Sequence, residues 1–140
     1  MKKFTITCTE EQLRLIADAV EDWCRFLSGQ CSLDHATEIV EPAQLMHELR
    51  TKLQFEAHPI ITPDLPMNAS YGWSGGSCPN EEQERRIAMS YGIYRQILHF
   101  FALRRKDIDW NTYTSPTLTC EKQGPLIKVE EIEVEDERQE

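Results

Sequence analysis

The chain has 140 residues and a formal net charge of −9, and hydrophobic residues make up 40 % of it. This size and composition exclude a disordered chain and predict one globular domain with its own core. The negative charge repels phosphate backbones, and no apolar run approaches the ~20 residues of a membrane span. We therefore predict a protein that binds neither duplex nucleic acid nor membranes.

The acidic charge is concentrated at the C-terminus, where the last twenty residues carry eight acidic and three basic side chains. Such a segment has almost no apolar surface to bury. We predict a globular domain over residues 1–130 and a mobile acidic tail over 131–140. The five cysteines are scattered, and the first residues lack the apolar stretch of an export signal, which predicts reduced thiols and a cytoplasmic location.

The N-terminal residues predict a strand followed by a helix. Residues 3–8 alternate between apolar and polar side chains, as in a half-buried strand. Thr9 and Gln12 have the spacing of a capping box. Apolar residues then recur at helical spacing as far as Gly29, which is a natural helix stop. We predict the first helix over this stretch.

A second helix is predicted to begin at Pro42, because proline suits the first turn of a helix. Prolines are frequent in the residues that follow it, and they predict that this helix ends after Phe55 and that a loop extends over residues 56–79. The apolar stripe of the second helix is Leu45, Met46, Leu49 and Leu53.

A third helix is predicted from Asn80 to about Arg104, with two apolar stripes on different faces. A helix of this kind is central in its fold or forms half of an interface. We predict a homo-oligomer, most simply a dimer, with the second stripe in the contact; the alternative is that the 56–79 loop covers this stripe. The first stripe is Ile87, Tyr91, Tyr94, Leu98 and Phe101, and the second is Met89, Ile93, Ile97 and Phe100.

These elements predict an α+β fold that is predominantly helical, with three main helices packed on a small antiparallel sheet. Residues 3–8 and a strand beginning at Leu126 are the predicted neighbours in that sheet. No pattern predicts a metal centre or a cofactor. Cys31 and His35 form the only close Cys/His pair, and a structural zinc site needs four ligands.

The most unusual stretch is the glycine-rich loop before the third helix. Its glycines allow close backbone approach, and the helix start supplies free N–H groups, which together favour an anion such as a nucleotide phosphate. The alternatives are that the aromatic residues of the loop pack on the body and that the arginines pair with glutamates one turn earlier. The predicted ligand-binding residues are Tyr71, Gly72, Trp73, Ser74, Gly75, Gly76, Ser77, Arg85 and Arg86.

Cys78 lies just ahead of a helix N-terminus, a position that can lower the pKa of a thiol and create a nucleophile. Its general base would be His47, His58 or His99, and the spacing favours none of them. The alternative is a small buried side chain at a turn. Cys78 is therefore a weak candidate for catalysis, and we predict no other catalytic residue.

Two stretches of the chain resemble parts of short uncharacterised proteins carried by bacteriophages and prophages. They are residues 9–17 (TEEQLRLIA) and residues 70–79 (SYGWSGGSCP). The resemblance implies a small accessory protein that acts inside a bacterial host by binding or sequestering a host component. It transfers no catalytic residue.

We therefore predict a non-enzymatic binding protein. Its ligand is a nucleotide-like anion or a host protein, bound through the glycine-rich loop. Two alternatives stay open: a small thiol-dependent enzyme that uses Cys78, and a structural or assembly protein that acts through its third helix.

Overall fold

The computed structural model describes residues 1–105 and 112–133. α1 and α4 pack along each other at the centre of the fold, and α2 and α3 attach to the flank of α1. The helices are α1 (Glu10–Ser28), α2 (Asp34–Glu38), α3 (Ala43–Ile61) and α4 (Glu81–Arg104), followed by two 3₁₀ turns at Thr112–Thr114 and Glu121–Gln123.

The predicted α+β fold is wrong, because no residue in the described ranges forms a β-strand. Residues 3–8 belong to no helix or strand, and Phe4 is 87 % exposed and Ile6 is 80 % exposed. The segment after Leu126 packs Val129 against α1 and α4 rather than joining a sheet. An alternating pattern indicates extended backbone, but it does not supply the hydrogen-bonded neighbour that a strand requires.

The predicted domain of residues 1–130 and its acidic tail remain predictions. Residues 131–133 are exposed and belong to no helix or strand. The rest of the predicted tail, residues 134–140, lies outside the described ranges.

α1 begins and ends where the sequence predicts. The hydroxyl of Thr9 accepts a hydrogen bond from the Gln12 N–H at 3.1 Å, and the Gln12 side chain accepts one from the Thr9 N–H at 2.9 Å, which completes the capping box. Gly29 ends the helix with a φ of 109°. A Cβ at Gly29 would lie only 2.7 Å from the methyl group of Thr62, so the glycine lets the end of α3 approach the end of α1.

α3 extends beyond the predicted end at Phe55. It continues through Pro59 to Ile61. His58 is the only buried side chain of this helix, and its ring lies 2.8 Å from the Ala69 carbonyl oxygen. These contacts stabilise the last turn and offset the backbone hydrogen bond that proline cannot donate.

α4 spans the predicted residues, and both of its apolar stripes contribute to the core. Asn80 caps it by accepting a hydrogen bond from the Gln83 N–H at 2.9 Å. The first stripe packs against α1 and the glycine-rich loop. In the second stripe, Ile97 is fully buried, and its neighbours pack with residues of α1 and with Val129. The C-terminal segment, rather than the 56–79 loop, therefore helps to cover this stripe.

Gln83 joins the ends of three helices. Its side-chain amide donates hydrogen bonds to the carbonyl oxygens of Leu27 at 2.8 Å and Ile61 at 3.1 Å. Leu27 lies in the last turn of α1, and Ile61 is the last residue of α3. Carbonyl groups that helix ends leave unpaired are thus satisfied by the first turn of α4.

Gly75→Ala should destabilise the protein more than Gly72→Ala does. Both glycines have a positive φ, 70° and 79°, so each substitution costs about 1 kcal/mol in backbone strain. A Cβ at Gly75 would also lie 2.7 Å from the Glu84 carbonyl oxygen, whereas a Cβ at Gly72 would meet nothing within 4 Å. Urea denaturation should show losses in the free energy of unfolding of about 3 and about 1 kcal/mol respectively. Equal losses would contradict the packing of this loop on α4.

Candidate functional site

The aromatic residues of the glycine-rich loop pack into the core. Tyr71 is buried; its N–H donates to the Ser28 carbonyl oxygen at 2.9 Å, and its hydroxyl donates to Asp64. Burial and the Asp64 carboxylate raise the pKa of Tyr71. The Trp73 ring lies 5.0 Å from the ring of Tyr91 on α4. Both aromatic side chains therefore anchor the loop.

The backbone of the loop bonds to itself. The Gly75 N–H donates to the Gly72 carbonyl oxygen at 3.2 Å, and the Cys78 N–H donates to the Gly75 carbonyl oxygen at 3.1 Å. Gly75 is buried, Gly72, Gly76 and Ser77 are exposed, and Ser74 is half-buried. Two N–H groups that a phosphate cradle would use are thus already engaged.

Arg85 and Arg86 are exposed and share one carboxylate. Arg85 lies 2.7 Å from Glu82, and Arg86 lies 2.8 Å from the same Glu82 oxygen. Hydrogen bonds from Arg85 and Arg86 lower the pKa of Glu82 to about 2. An anion that approached these arginines would compete with Glu82 for both of them.

Cys78 is buried, and its thiol lies 3.5 Å from the Asn80 carbonyl oxygen. Within the described ranges no histidine forms a hydrogen bond with it. His58 and His99 each contact a backbone carbonyl oxygen, and His47 is exposed on α3. The thiol therefore has the surroundings of a small buried side chain at a turn.

A cluster of charged side chains, which the sequence analysis did not identify, joins α1 to α2. Glu21 and Asp22 are only 6 % and 7 % exposed. Asp22 accepts hydrogen bonds from the N–H groups of His35 at 3.1 Å and Ala36 at 2.9 Å, so it caps the start of α2. Glu21 lies 2.9 Å from Arg25 and 2.7 Å from the His35 ring. The signal in the sequence is the placement of these acids and Arg25 on adjacent turns of α1.

The charge of His35 is tied to this cluster. Burial by itself lowers the pKa of His35, but the hydrogen bond to Glu21 and the negative charges of Asp18, Glu21 and Asp22 outweigh it, so that the pKa is raised. The Glu38 carboxylate on α2 also lies 3.9 Å from the His35 ring. The imidazolium form therefore persists to higher pH than in a free histidine and attracts α2 to α1.

Two adjoining grooves lie beside the α1–α2 connection. The first, of about 300 Å³, lies between the end of α1, the α1–α2 connection and residues 67–70. Its polar side chains bond to the chain itself: Arg25 to Gln30 at 2.7 Å, and the Gln54 side chain to the backbone of Cys31 at 2.6 Å and of Gly29 at 2.9 Å. The second, of about 460 Å³, lies along α3 and is more apolar. The polar groups of the first groove thus hold segments of the chain together.

α3 carries an uncovered apolar surface, which we call the α3 stripe and define as Leu45, Leu49 and Ile60. These side chains are 55 %, 40 % and 78 % exposed. Their spacing places them on one face of the helix. Leu45 and Leu49 belong to the apolar stripe that the sequence predicted, whose other members, Met46 and Leu53, are half-buried. Ile60 was predicted to lie in the 56–79 loop. Several large apolar side chains exposed on one face are typical of an interaction site.

Comparison with known proteins adds no family to this description. No protein-family model matches the chain, and no curated protein or solved structure is significantly similar to it. None of the helices in residues 1–105 and 112–133 is both long and apolar enough to cross a lipid bilayer. The same residues contain no group of three or more His, Cys, Asp or Glu placed to hold a metal ion. The function must therefore be argued from the surfaces.

His35→Gln should lower the stability of the protein mainly at acidic pH. The folded-state pKa of His35 is raised above its ordinary value of 6.5. The stabilisation by His35 is therefore fully present below that value and is lost as the pH rises through the folded-state pKa. The difference in free energy of unfolding between wild type and variant should shrink between about pH 5.5 and about pH 9, as measured by urea denaturation.

The control is His47→Gln, because His47 is exposed on α3. The difference in free energy of unfolding between His47→Gln and wild type should be the same at about pH 5.5 and about pH 9. A His35→Gln difference that is equally constant would contradict the raised pKa.

Proposed function

We propose that this chain is a non-enzymatic binding protein whose contact surface is the α3 stripe. The observation that carries the proposal is the orientation of α3, a helix of 19 residues with His58 as its single buried side chain. Amphipathic helices usually turn their apolar face toward the core. α3 instead contacts the body through polar groups such as Gln54 and His58 and leaves the stripe exposed.

The surroundings of the reactive groups support binding over catalysis. Cys78 is engaged with the Asn80 backbone and has no histidine in hydrogen-bond contact within the described ranges. The buried carboxylates of Glu21 and Asp22 are paired with Arg25, His35 and the start of α2. A nucleophile needs a base within hydrogen-bond reach, so the thiol-enzyme alternative is less well supported.

The glycine-rich loop, which the sequence suggested as the binding surface, is not the contact surface proposed here. Tyr71 and Trp73 support the core, and Arg85 and Arg86 are engaged with Glu82. Binding of a nucleotide-like anion there would have to break these contacts. A protein partner on α3 would require none of them to change, and we favour it for that reason.

The proposed setting is the cytoplasm of a bacterial host. It is motivated by the resemblance of residues 9–17 and 70–79 to short bacteriophage and prophage proteins. In that setting the chain acts as an accessory protein, and its partner is a protein rather than a small ligand.

Leu49→Glu should remove binding without unfolding the chain. Leu49 is 40 % exposed, so the core does not depend on it, whereas an interface would have to bury the new charge. The purified protein should give crosslinked products when it is treated with a chemical crosslinker, alone or in bacterial lysate. In Leu49→Glu the amount of these products should fall about tenfold or more, which corresponds to a loss of at least ~1.4 kcal/mol in binding free energy.

Thr51→Glu is the matched control, because it adds the same charge to an exposed position on α3 away from the stripe. This variant should retain the crosslinked products. The proposal is contradicted if Leu49→Glu and wild type give the same products in equal amounts while both remain folded by circular dichroism.

A further inference from the structure

We propose that the protein bound by the α3 stripe is a second copy of this chain, with the two α3 helices antiparallel. The inference rests on the proposed function and names the occupant of the same surface. It comes from two charged residues, Lys52 and Glu56, that interrupt the stripe at its middle.

Lys52 and Glu56 lie on the same helix face as the stripe. Positions 45, 49, 52, 56 and 60 follow one another at intervals of three or four residues, so they form one continuous row along α3. The row is apolar at both ends and charged in the middle. Lys52 and Glu56 are exposed, and neither forms an ion pair or hydrogen bond with another described side chain.

The order of the two charges disfavours pairing within the helix. A lysine placed four residues before a glutamate pairs less well than the reverse arrangement, because of the helix dipole. Glu48 lies four residues before Lys52 but accepts a hydrogen bond from the Gln44 side chain at 3.4 Å instead. Lys52 and Glu56 therefore remain available to a partner. All five side chains of the exposed row would then meet the surface that binds there.

An antiparallel two-fold pairing satisfies this row with a copy of itself. If the axis passes between Lys52 and Glu56, each Lys52 lies opposite Glu56 of the second copy, and two equivalent ion pairs form. Leu49 then lies within one residue of the level of Ile60 of the second copy, a rise of about 1.5 Å. Leu49 of each helix thus meets Ile60 of the other on both sides of the axis, as a two-fold interface requires.

A parallel pairing would oppose like charges. It would place Lys52 beside Lys52 of the second copy and Glu56 beside Glu56 of the second copy, and both contacts would be repulsive. The charge pattern therefore selects the antiparallel arrangement. It also favours a second copy over an unrelated protein, because the row is complementary to itself when reversed.

The experiment measures self-association of the full chain by sedimentation or light scattering from about 1 to about 200 µM, a range that spans micromolar dissociation constants. Wild type should form dimers as its concentration rises. Lys52→Glu alone and Glu56→Lys alone should each weaken the dimer about tenfold, because each converts two attractive contacts into two repulsive ones. Both residues are exposed, so circular dichroism should show unchanged folding.

Two further samples give a result that only this pairing explains. An equal mixture of the Lys52→Glu and Glu56→Lys chains should dimerise as well as wild type, because each mutated charge then meets its opposite. The double variant K52E/E56K should also recover the dimer. Thr51→Glu, which adds a charge off the row, should dimerise like wild type.

A wild-type monomer over the whole range would overturn the proposal. So would single charge reversals that leave the dimer unchanged, or a mixture that fails to recover it. If self-association fails these tests while Leu49→Glu still loses crosslinked products in lysate, the stripe binds a different protein and the proposed function stands. If Leu49→Glu also has no effect, both the pairing with a second copy and the proposed function are wrong.

Discussion

Two buried carboxylates on α1 hold the flank of this protein in place. Burying Glu21 and Asp22 would be costly if they were unpaired. Their oxygens are instead bonded to Arg25, to His35 and to the N-terminus of α2. α2 has only five residues and little apolar surface, so its position depends on these polar contacts. Since α2 packs against α3, the same contacts help to position α3.

A polar attachment explains why the apolar side of α3 is left exposed. The helix is held by Gln54, which bonds to the backbone on both sides of the α1–α2 turn, and by its last turn, where Thr62 fits against Gly29. Gln83 then ties that turn to the start of α4. None of these contacts uses the stripe, so the stripe can bind a partner without weakening the fold. The glycine-rich loop has the opposite character, since its aromatic residues are part of the core.

Local signals in the sequence were sufficient for the elements that are determined locally. The capping box at Thr9 and the stop at Gly29 place α1 within a residue, because caps depend on neighbouring backbone groups. Features that depend on distant contacts could not be predicted. The alternation around Ile6 does not reveal whether another strand lies beside it. Pro59 suggests a helix end, but α3 continues to Ile61 because the buried His58 stabilises its last turn. Leu45 and Leu49 were visible as an apolar pattern, whereas Ile60 was assigned to a loop. The exposure of all three follows from the polar contacts of α3 with residues 29–31 and with Ala69.

We propose that α3 pairs with α3 of a second copy while α1 and α4 form the core of each copy. Amide hydrogen exchange of the wild-type protein, followed by mass spectrometry at several protein concentrations, tests it directly, because amides buried in an interface exchange more slowly. Peptides from α3 should exchange more slowly as the concentration rises, while peptides from α1 and α4 should exchange at a constant rate. Slowing confined to α4, or exchange in α3 that is the same at every concentration, would contradict it.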